Sequence, residues 1–253
     1  MSERLLIEAA GLRVVYRDAV ALEDISFAVH EGERIAVVGP NGAGKSTLFN
    51  ALTGLKALQA GWLSLHPVNG TPLRIAFLPQ KPSLDWGFPL TVLDAVTLGL
   101  ELKLPKREAK QAASDALELV HLSDLSKRRI NELSGGQQQR VLIARAIAIK
   151  ADVLLMDEPL VGLDQPSRED VFAVLDTLRE RRIPVLVALH DLNLATERFP
   201  RALLLNRRLI ADGTPEDIFS TENLTRTYGS HLHVVTTDQG SVLVSDTCCG
   251  GRH

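Results

Sequence analysis

Three short runs of residues have the types and spacing needed to handle a phosphate. The first, Gly39-Pro40-Asn41-Gly42-Ala43-Gly44-Lys45-Ser46-Thr47, fits the pattern G-x-x-x-x-G-K-[ST]. It follows the apolar run Ile35-Ala36-Val37-Val38 and leads into Thr47-Leu48-Phe49-Asn50-Ala51-Leu52, whose residues suit a helix. Glycines at 39, 42 and 44 let consecutive N–H groups turn inward, where they and the N-terminus of the following helix can hold an anion. Lys45 adds a point charge for the β- and γ-phosphates, and Ser46 offers a hydroxyl to Mg2+. The second run is Val153-Leu154-Leu155-Met156-Asp157-Glu158-Pro159. Four apolar residues running into two carboxylates are expected of a buried parallel strand that emerges beside a ligand at its C-terminal end. Asp157 is placed to hold hydrated Mg2+, and Glu158 to polarise the water that attacks a γ-phosphate. The plainer alternative is that one of the two acids only caps the next turn. The third run, Leu133-Ser134-Gly135-Gly136-Gln137, lies between the other two. A serine hydroxyl and two glycine amides at a helix start make another anion cradle. Together the runs predict ATP hydrolysis, with ATP and Mg2+ as cofactors.

The elements that must position these residues follow from pattern. Residues 5 to 38 alternate polar and apolar positions, as in Leu12-Arg13-Val14-Val15-Tyr16 and Ile25-Ser26-Phe27-Ala28-Val29, predicting a small N-terminal antiparallel β subdomain. Arg74-Ile75-Ala76-Phe77-Leu78-Pro79-Gln80 reads as a further strand, followed by a break through Pro82 and Pro89. From Thr91 to Ile149 the pattern is helical, with Thr91 as a cap, Asp94 in the first turn, and apolar spacing from Arg107 to Val120. A helical subdomain over about 81–150 is therefore expected as an insert. Strands near 153–157, 185–189 and 202–205 then alternate with helices, giving an α/β core built on a parallel or mixed sheet.

Composition narrows the classes without naming one. With 253 residues and 45% hydrophobic content, the chain can bury one substantial core. A formal charge of −3 gives no general attraction for nucleic acid or anionic lipid, so no nucleic-acid partner is expected. No apolar stretch reaches the ~18 residues that span a bilayer. The opening Met1-Ser2-Glu3-Arg4 does not read as a signal peptide. The two cysteines, Cys248 and Cys249, are adjacent and do not staple a fold.

Over residues 5 to 228 the chain resembles the ATP-binding subunit of ABC transporters. Leu133-Ser134-Gly135-Gly136-Gln137 matches that family's signature, continued by Gln138-Gln139-Arg140 into a helix with Val141, Leu142, Ala144, Ala148 and Ile149. The resemblance implies a P-loop NTPase core of ABC type and an ATP-binding domain over 1–228, with 229–253 as a C-terminal extension. It also implies an ATP-dependent homodimer in which the signature of one protomer closes over ATP held by the phosphate loop of the other. Tyr16 matches the aromatic that stacks on adenine; ordinary strand packing is its other reading. Gln80 matches the glutamine that touches Mg2+ and the attacking water and relays nucleotide state to a membrane partner. Asp164, in Val161-Gly162-Leu163-Asp164, matches a turn at the dimer interface. His190 matches the histidine that contacts the γ-phosphate, and as a residue leaving a strand at its C-terminal end it faces a ligand crevice. Such a subunit would sit peripherally on the cytoplasmic face of the cell membrane. It would drive a separate transmembrane permease and, through it, an extracytoplasmic substrate-binding protein.

The stretch Leu78 to Val92, with Asp85-Trp86-Gly87-Phe88-Pro89-Leu90-Thr91-Val92, resembles subunits of manganese, zinc and iron importers, as does Pro159 to Asp164. It departs from that group in having Gly99-Leu100 where Gly-Arg is usual. Trp86, Phe88 and Pro89 could equally pack this loop against the helical insert. Import of a divalent transition metal, zinc or manganese, is thus the expected task. An iron-chelate importer, an exporter and a soluble non-transport ATPase of the family are the alternatives. The extension holds His231, His233, Cys248, Cys249 and His253, types that bind zinc but without the spacing of a closed site. A disordered or loosely strand-forming tail is expected there.

Overall fold

In the computed structural model, residues 4–17, 19–80, 84, 86–102 and 104–229 are described, with the strand backbone of 232–237 and 240–245. In chain order the elements are β1 (Leu5–Tyr16), β2 (Ala19–His30), β3 (Arg34–Val38), α1 (Lys45–Leu52), β4 (Ala60–Leu65), β5 (Ile75–Leu78), α2 (Val92–Thr97), α3 (Lys106–Leu119) and α4 (Gly135–Ala148). There follow β6 (Val153–Asp157), α5 (Gln165–Glu180), β7 (Val185–Leu189), α6 (Leu192–Arg198), β8 (Arg201–Asn206) and β9 (Arg208–Gly213). The chain goes on through α7 (Pro215–Ile218), α8 (Thr221–Tyr228), β10 (Leu232–Thr237) and β11 (Gly240–Ser245). It divides into two compact units: Met1–Ile7, Ala28–Arg34 and Ser64–Val187 form one, and Glu8–Phe27, Ile35–Leu63 and Ala188–His253 the other.

The first unit holds the strand order β5-β6-β7 and the helices α2 to α5. β5 and β6 run parallel, with Ile75 opposite Val153 and Leu78 opposite Met156. Every residue of β6 is buried, which explains why the sequence there is a continuous apolar run and not an alternation. The strand expected over 74–80 is shorter. Pro79 has no N–H to give a ladder, so β5 stops at Leu78 and Gln80 lies two residues beyond it instead of ending it.

Helices form between Thr91 and Ile149, where the sequence pattern is helical. Thr91 Oγ1 accepts from the Asp94 N–H at 3.1 Å, while Asp94 Oδ2 accepts from the Thr91 N–H at 3.2 Å, closing a capping box on α2. α3 covers Lys106–Leu119 and buries Ala109, Ala113, Ala116 and Leu117. Small residues on that face let α3 pack closely on α4. Arg140 of α4 is only 8% exposed; it donates to the Val120 and His121 carbonyls at 3.2 and 3.5 Å and pairs with Asp170 at 2.9 Å. The signature helix is thereby tied to the end of α3 and to α5.

In the second unit β3 runs parallel to β8, with Val38 opposite Leu204, and β8 pairs antiparallel with β9. The sheet is therefore mixed. The β subdomain has the order β2-β1-β4, and β1 ends at Tyr16 where its neighbour β2 begins at Ala19, a spacing only antiparallel neighbours permit. β10 and β11 pair as an antiparallel hairpin, so the extension does form strands. Lys81, Pro82, Ser83, Asp85, His231, Cys248, Cys249 and His253 lie outside the described residues, as does the side chain of His233.

Candidate active site

The phosphate loop belongs to the second unit. Gly39 leaves β3 so close to β8 that a Cβ there would stand 2.0 Å from the Leu205 carbonyl oxygen; only glycine fits. The Arg207 N–H donates to the Ala43 carbonyl at 2.8 Å, holding the loop from its other side. Gly44 is the N-cap of α1 and has no side chain with which to cap the first turn. By contrast Thr91, Ser134, Asp164, Asp191, Thr214 and Ser220 each cap their helices with a side-chain oxygen. The start of α1 thus keeps its N–H groups for an anion. Lys45 is 6% exposed, and its ammonium donates to the carbonyls of Gly39 at 2.7 Å and Pro40 at 3.2 Å. It also lies 3.4 Å from Nδ1 of His190, the exposed residue that follows β7, so these two predicted phosphate contacts meet.

Tyr16 ends β1 with 42% of its surface exposed. Lys56 places Nζ 4.1 Å from the ring centroid, a cation–π contact on one face. The segment is fixed in place: the Gln59 N–H donates to the Arg13 carbonyl at 2.8 Å, and Gln59 Oε1 accepts from the Val15 N–H at 2.6 Å. Strand packing alone does not describe this ring, because a half-exposed aromatic braced on one side leaves π surface open to a base.

The carboxylates belong to the first unit. Asp157 ends β6 buried at 6% exposure. Glu158 turns out of the strand with φ +52°, a left-handed conformation costing about 1–2 kcal/mol for a residue with a Cβ. Gln80 Nε2 donates to Glu158 Oε2 at 2.6 Å, so these two predicted residues also meet. A hollow of about 280 Å3 opens beside them, lined by Gln80, Trp86, Gly135, Gln139, Glu158 and Val161 among others. Trp86 therefore borders the same hollow as the carboxylate. Phe88 is 56% exposed and Pro89 exposed, which speaks against the alternative that they pack this loop against the helical insert.

Ser134 caps α4: its Oγ accepts from the Gln137 N–H at 3.3 Å, and Gln137 Oε1 accepts from the Ser134 N–H at 3.1 Å. The Ser134 hydroxyl still has its hydrogen to donate, alongside the amides of Gly135 and Gly136. Asp164 caps α5, and hydrogen bonds from Ser167 hold its carboxyl below the usual carboxylate range. At Gly136 a Cβ would stand 2.5 Å from the Ser167 Cβ, so α4 and α5 touch at this glycine. Gly136→Ala is expected to destabilise the fold by about 1–3 kcal/mol through overpacking, and Gly136→Ala/Ser167→Gly to recover part of that. Urea denaturation of the three chains checks it; equal midpoints would show that the contact does not constrain position 136.

The chemistry of the residues expected to take Mg2+ fits that ion: Ser46 in the second unit offers a hydroxyl, and Asp157 and Gln80 in the first offer a carboxylate and a carboxamide, all hard oxygen donors. Among the described residues no cluster of three or more His, Cys, Asp or Glu side chains offers a softer metal site. Sequence reasoning did not single out Lys56, whose contact with Tyr16 depends on tertiary folding. A lysine just beyond α1 gave no signal of it.

Comparison with known proteins gives the family. The family model described as ABC transporter matches residues 22–161, more than half the chain. The chain belongs to the ABC transporter family. It is an ATPase of that family, with the P-loop NTPase fold. A manganese transport system ATP-binding protein, MntB of Bacillus subtilis (strain 168), is 42% identical over 89% of this chain and 93% of its own length. A zinc transport system ATP-binding protein, TroB of Treponema pallidum (strain Nichols), is 41% identical over 89% of this chain and 88% of its own. A solved structure described as an inward-facing ABC transporter of metal-chelate type matches with a TM-score of 0.79 at 29% identity, covering 95% of this chain and 96% of that one.

Proposed function

We propose that this ABC ATPase powers import of a divalent transition metal, manganese or zinc, through a separate transmembrane permease supplied by an extracytoplasmic substrate-binding protein. The observation that carries the reading is the near full-length similarity to MntB and TroB, named for manganese and zinc transport. No described helix is long and apolar enough to cross a membrane, which agrees with work on a partner at the cytoplasmic face. A groove between β5 and α4, on the side of Gln80 and the helical insert, is where such a permease would dock.

In this reading Gly39, Pro40, Asn41, Gly42, Ala43, Gly44, Lys45, Ser46 and Thr47 hold the phosphates, and Tyr16 offers its open ring face to adenine. Ser46, Asp157 and Gln80 would hold Mg2+, which would supply positive charge to offset that of the phosphates. Glu158 accepts a proton from the attacking water, and Lys45 and His190 balance charge developing on the γ-phosphate. The 2.6 Å bond from Gln80 supports a shared task, since it presents one carboxylate oxygen of Glu158 in a defined direction. Ser134, Gly135, Gly136 and Gln137 of one copy close on the γ-phosphate held by a second copy, so two ATP molecules are sandwiched in a homodimer. Positioning then carries most of the rate effect.

Removing the gene from its native cell tests the cargo. Uptake of radioactive manganese or zinc is expected to fall at least about tenfold and to return with the wild-type gene but not with Glu158→Gln. Unchanged uptake of both, with loss of iron-chelate uptake, would contradict the metal assignment.

A further inference from the structure

The groove of the first unit has a volume of about 320 Å3 and joins one wall made by β5, through Ile75, Phe77 and Leu78, to another made by α4. Leu142, Arg145, Ala146 and Ile149 line the α4 side. Their spacing of three, four and seven residues puts them on one face of the helix. Leu98 and Ile149 remain 54% and 44% exposed, so large apolar surface stands open at this site. Among the described lining residues Arg145 alone is charged.

Arg145 is half-buried, and no hydrogen bond or ion pair satisfies its guanidinium among the described residues. Burial alone pushes its pKa down from the ordinary value. Arginine does not give up its proton in proteins, so the charge stays and its partial desolvation stands uncompensated. The neighbouring Arg140 shows the contrast, since two carbonyls and Asp170 surround it. An apolar wall carrying one unpaired, half-desolvated cation is complementary to an apolar segment carrying one anion. The planar guanidinium fork favours a carboxylate, which it can bind through two parallel hydrogen bonds.

We propose that Arg145 is the counter-ion for an aspartate or glutamate carried by the apolar, helical segment of the permease that fills this groove. The inference rests on the permease reading above and adds to it the chemistry of the contact. Arg145 is a positioning residue: by pairing with one carboxylate it sets the register of the docked helix, and a permease segment without an acid at that point is rejected because the cation would be buried unpaired.

The test uses the full chain and a side-chain-stapled helical peptide with leucine and alanine on one face and a single central glutamate on that face. Its twin carries glutamine instead. Fluorescence anisotropy is expected to give about tenfold tighter binding for the glutamate peptide, with the preference lost in Arg145→Gln and partly kept in Arg145→Lys. Arg145→Gln is also expected to leave the melting temperature unchanged or raised, because it removes a desolvated charge without breaking a pair; a merely structural arginine would lower it. Ile149→Gln, at an exposed position, is expected to weaken both peptides alike. Equal binding of both peptides, still sensitive to Ile149→Gln, would overturn the role of Arg145 while leaving groove docking intact. A preference that survives in Arg145→Gln, or failure of wild type to bind either peptide, would overturn the proposal as well. Binding insensitive to Ile149→Gln would count against the groove itself.

Discussion

Lys45→Ala is expected to weaken MgATP binding by about 10- to 100-fold while leaving the fold in place. The ammonium is the one cation in the phosphate loop, and a hydrogen bond to a charged partner contributes about 1.5–3 kcal/mol. At about 1.4 kcal/mol per factor of ten, that range sets the expected loss. The remaining loop amides still attract phosphate, so binding falls but does not vanish. The fold tolerates the change because α1 is held by Leu48, Phe49, Ala51 and Leu52, all at most 2% exposed, and not by Lys45. Calorimetric titration measures the affinity, and thermal unfolding with ATP supplies a second readout, since a ligand that binds only the native state raises its midpoint. Equal affinity in both chains would remove Lys45 from the nucleotide site.

Glu158→Gln is expected to cut phosphate release by about 10^2- to 10^4-fold with little loss of ATP affinity. The replacement keeps the length and shape of the side chain, and its carbonyl oxygen can still accept from Gln80 as Glu158 Oε2 does at 2.6 Å. What disappears is the capacity to take a proton from water. The left-handed turn at φ +52° must be adopted by either residue, so stability should change little. A structural role for Glu158, as a cap of the following turn, predicts the reverse pattern: a lower melting temperature and turnover near wild type. Single-turnover phosphate release and thermal unfolding, run together, separate the two.

These residues were legible because local rules govern them. The glycine spacing before Lys45, the apolar run into Asp157 and the Ser134-Gly135-Gly136 helix start are set within a few residues by steric and hydrogen-bond requirements. The readings that changed depend on distant contacts or on a single backbone group. Pro79 ends β5 two residues before Gln80 because it cannot donate to β6. β9 pairs antiparallel with β8 only because Arg207, at φ +58°, turns the chain back, and Arg208 to Gly213 alternates too weakly to show it. Phe88 reads as a packing residue by type and is 56% exposed. Lys56 and Arg145 look like ordinary surface charges in sequence; the first is distinguished by an aromatic ring forty residues away, the second by the lack of any partner among the described residues in an apolar groove.

The central claim is that ATP closes two copies of this chain over sites each copy supplies in part. Sedimentation of Glu158→Gln with and without MgATP tests it most directly, with Glu158→Gln/Ser134→Glu beside it. The account predicts that ATP doubles the mass of Glu158→Gln from the 27.6 kDa of one chain. It also predicts that the added glutamate, facing the γ-phosphate of the other copy, keeps the double variant at the mass of one chain although it still binds ATP. A Glu158→Gln chain that stays monomeric at saturating ATP and high protein concentration, or a dimer indifferent to Ser134→Glu, would contradict the composite site.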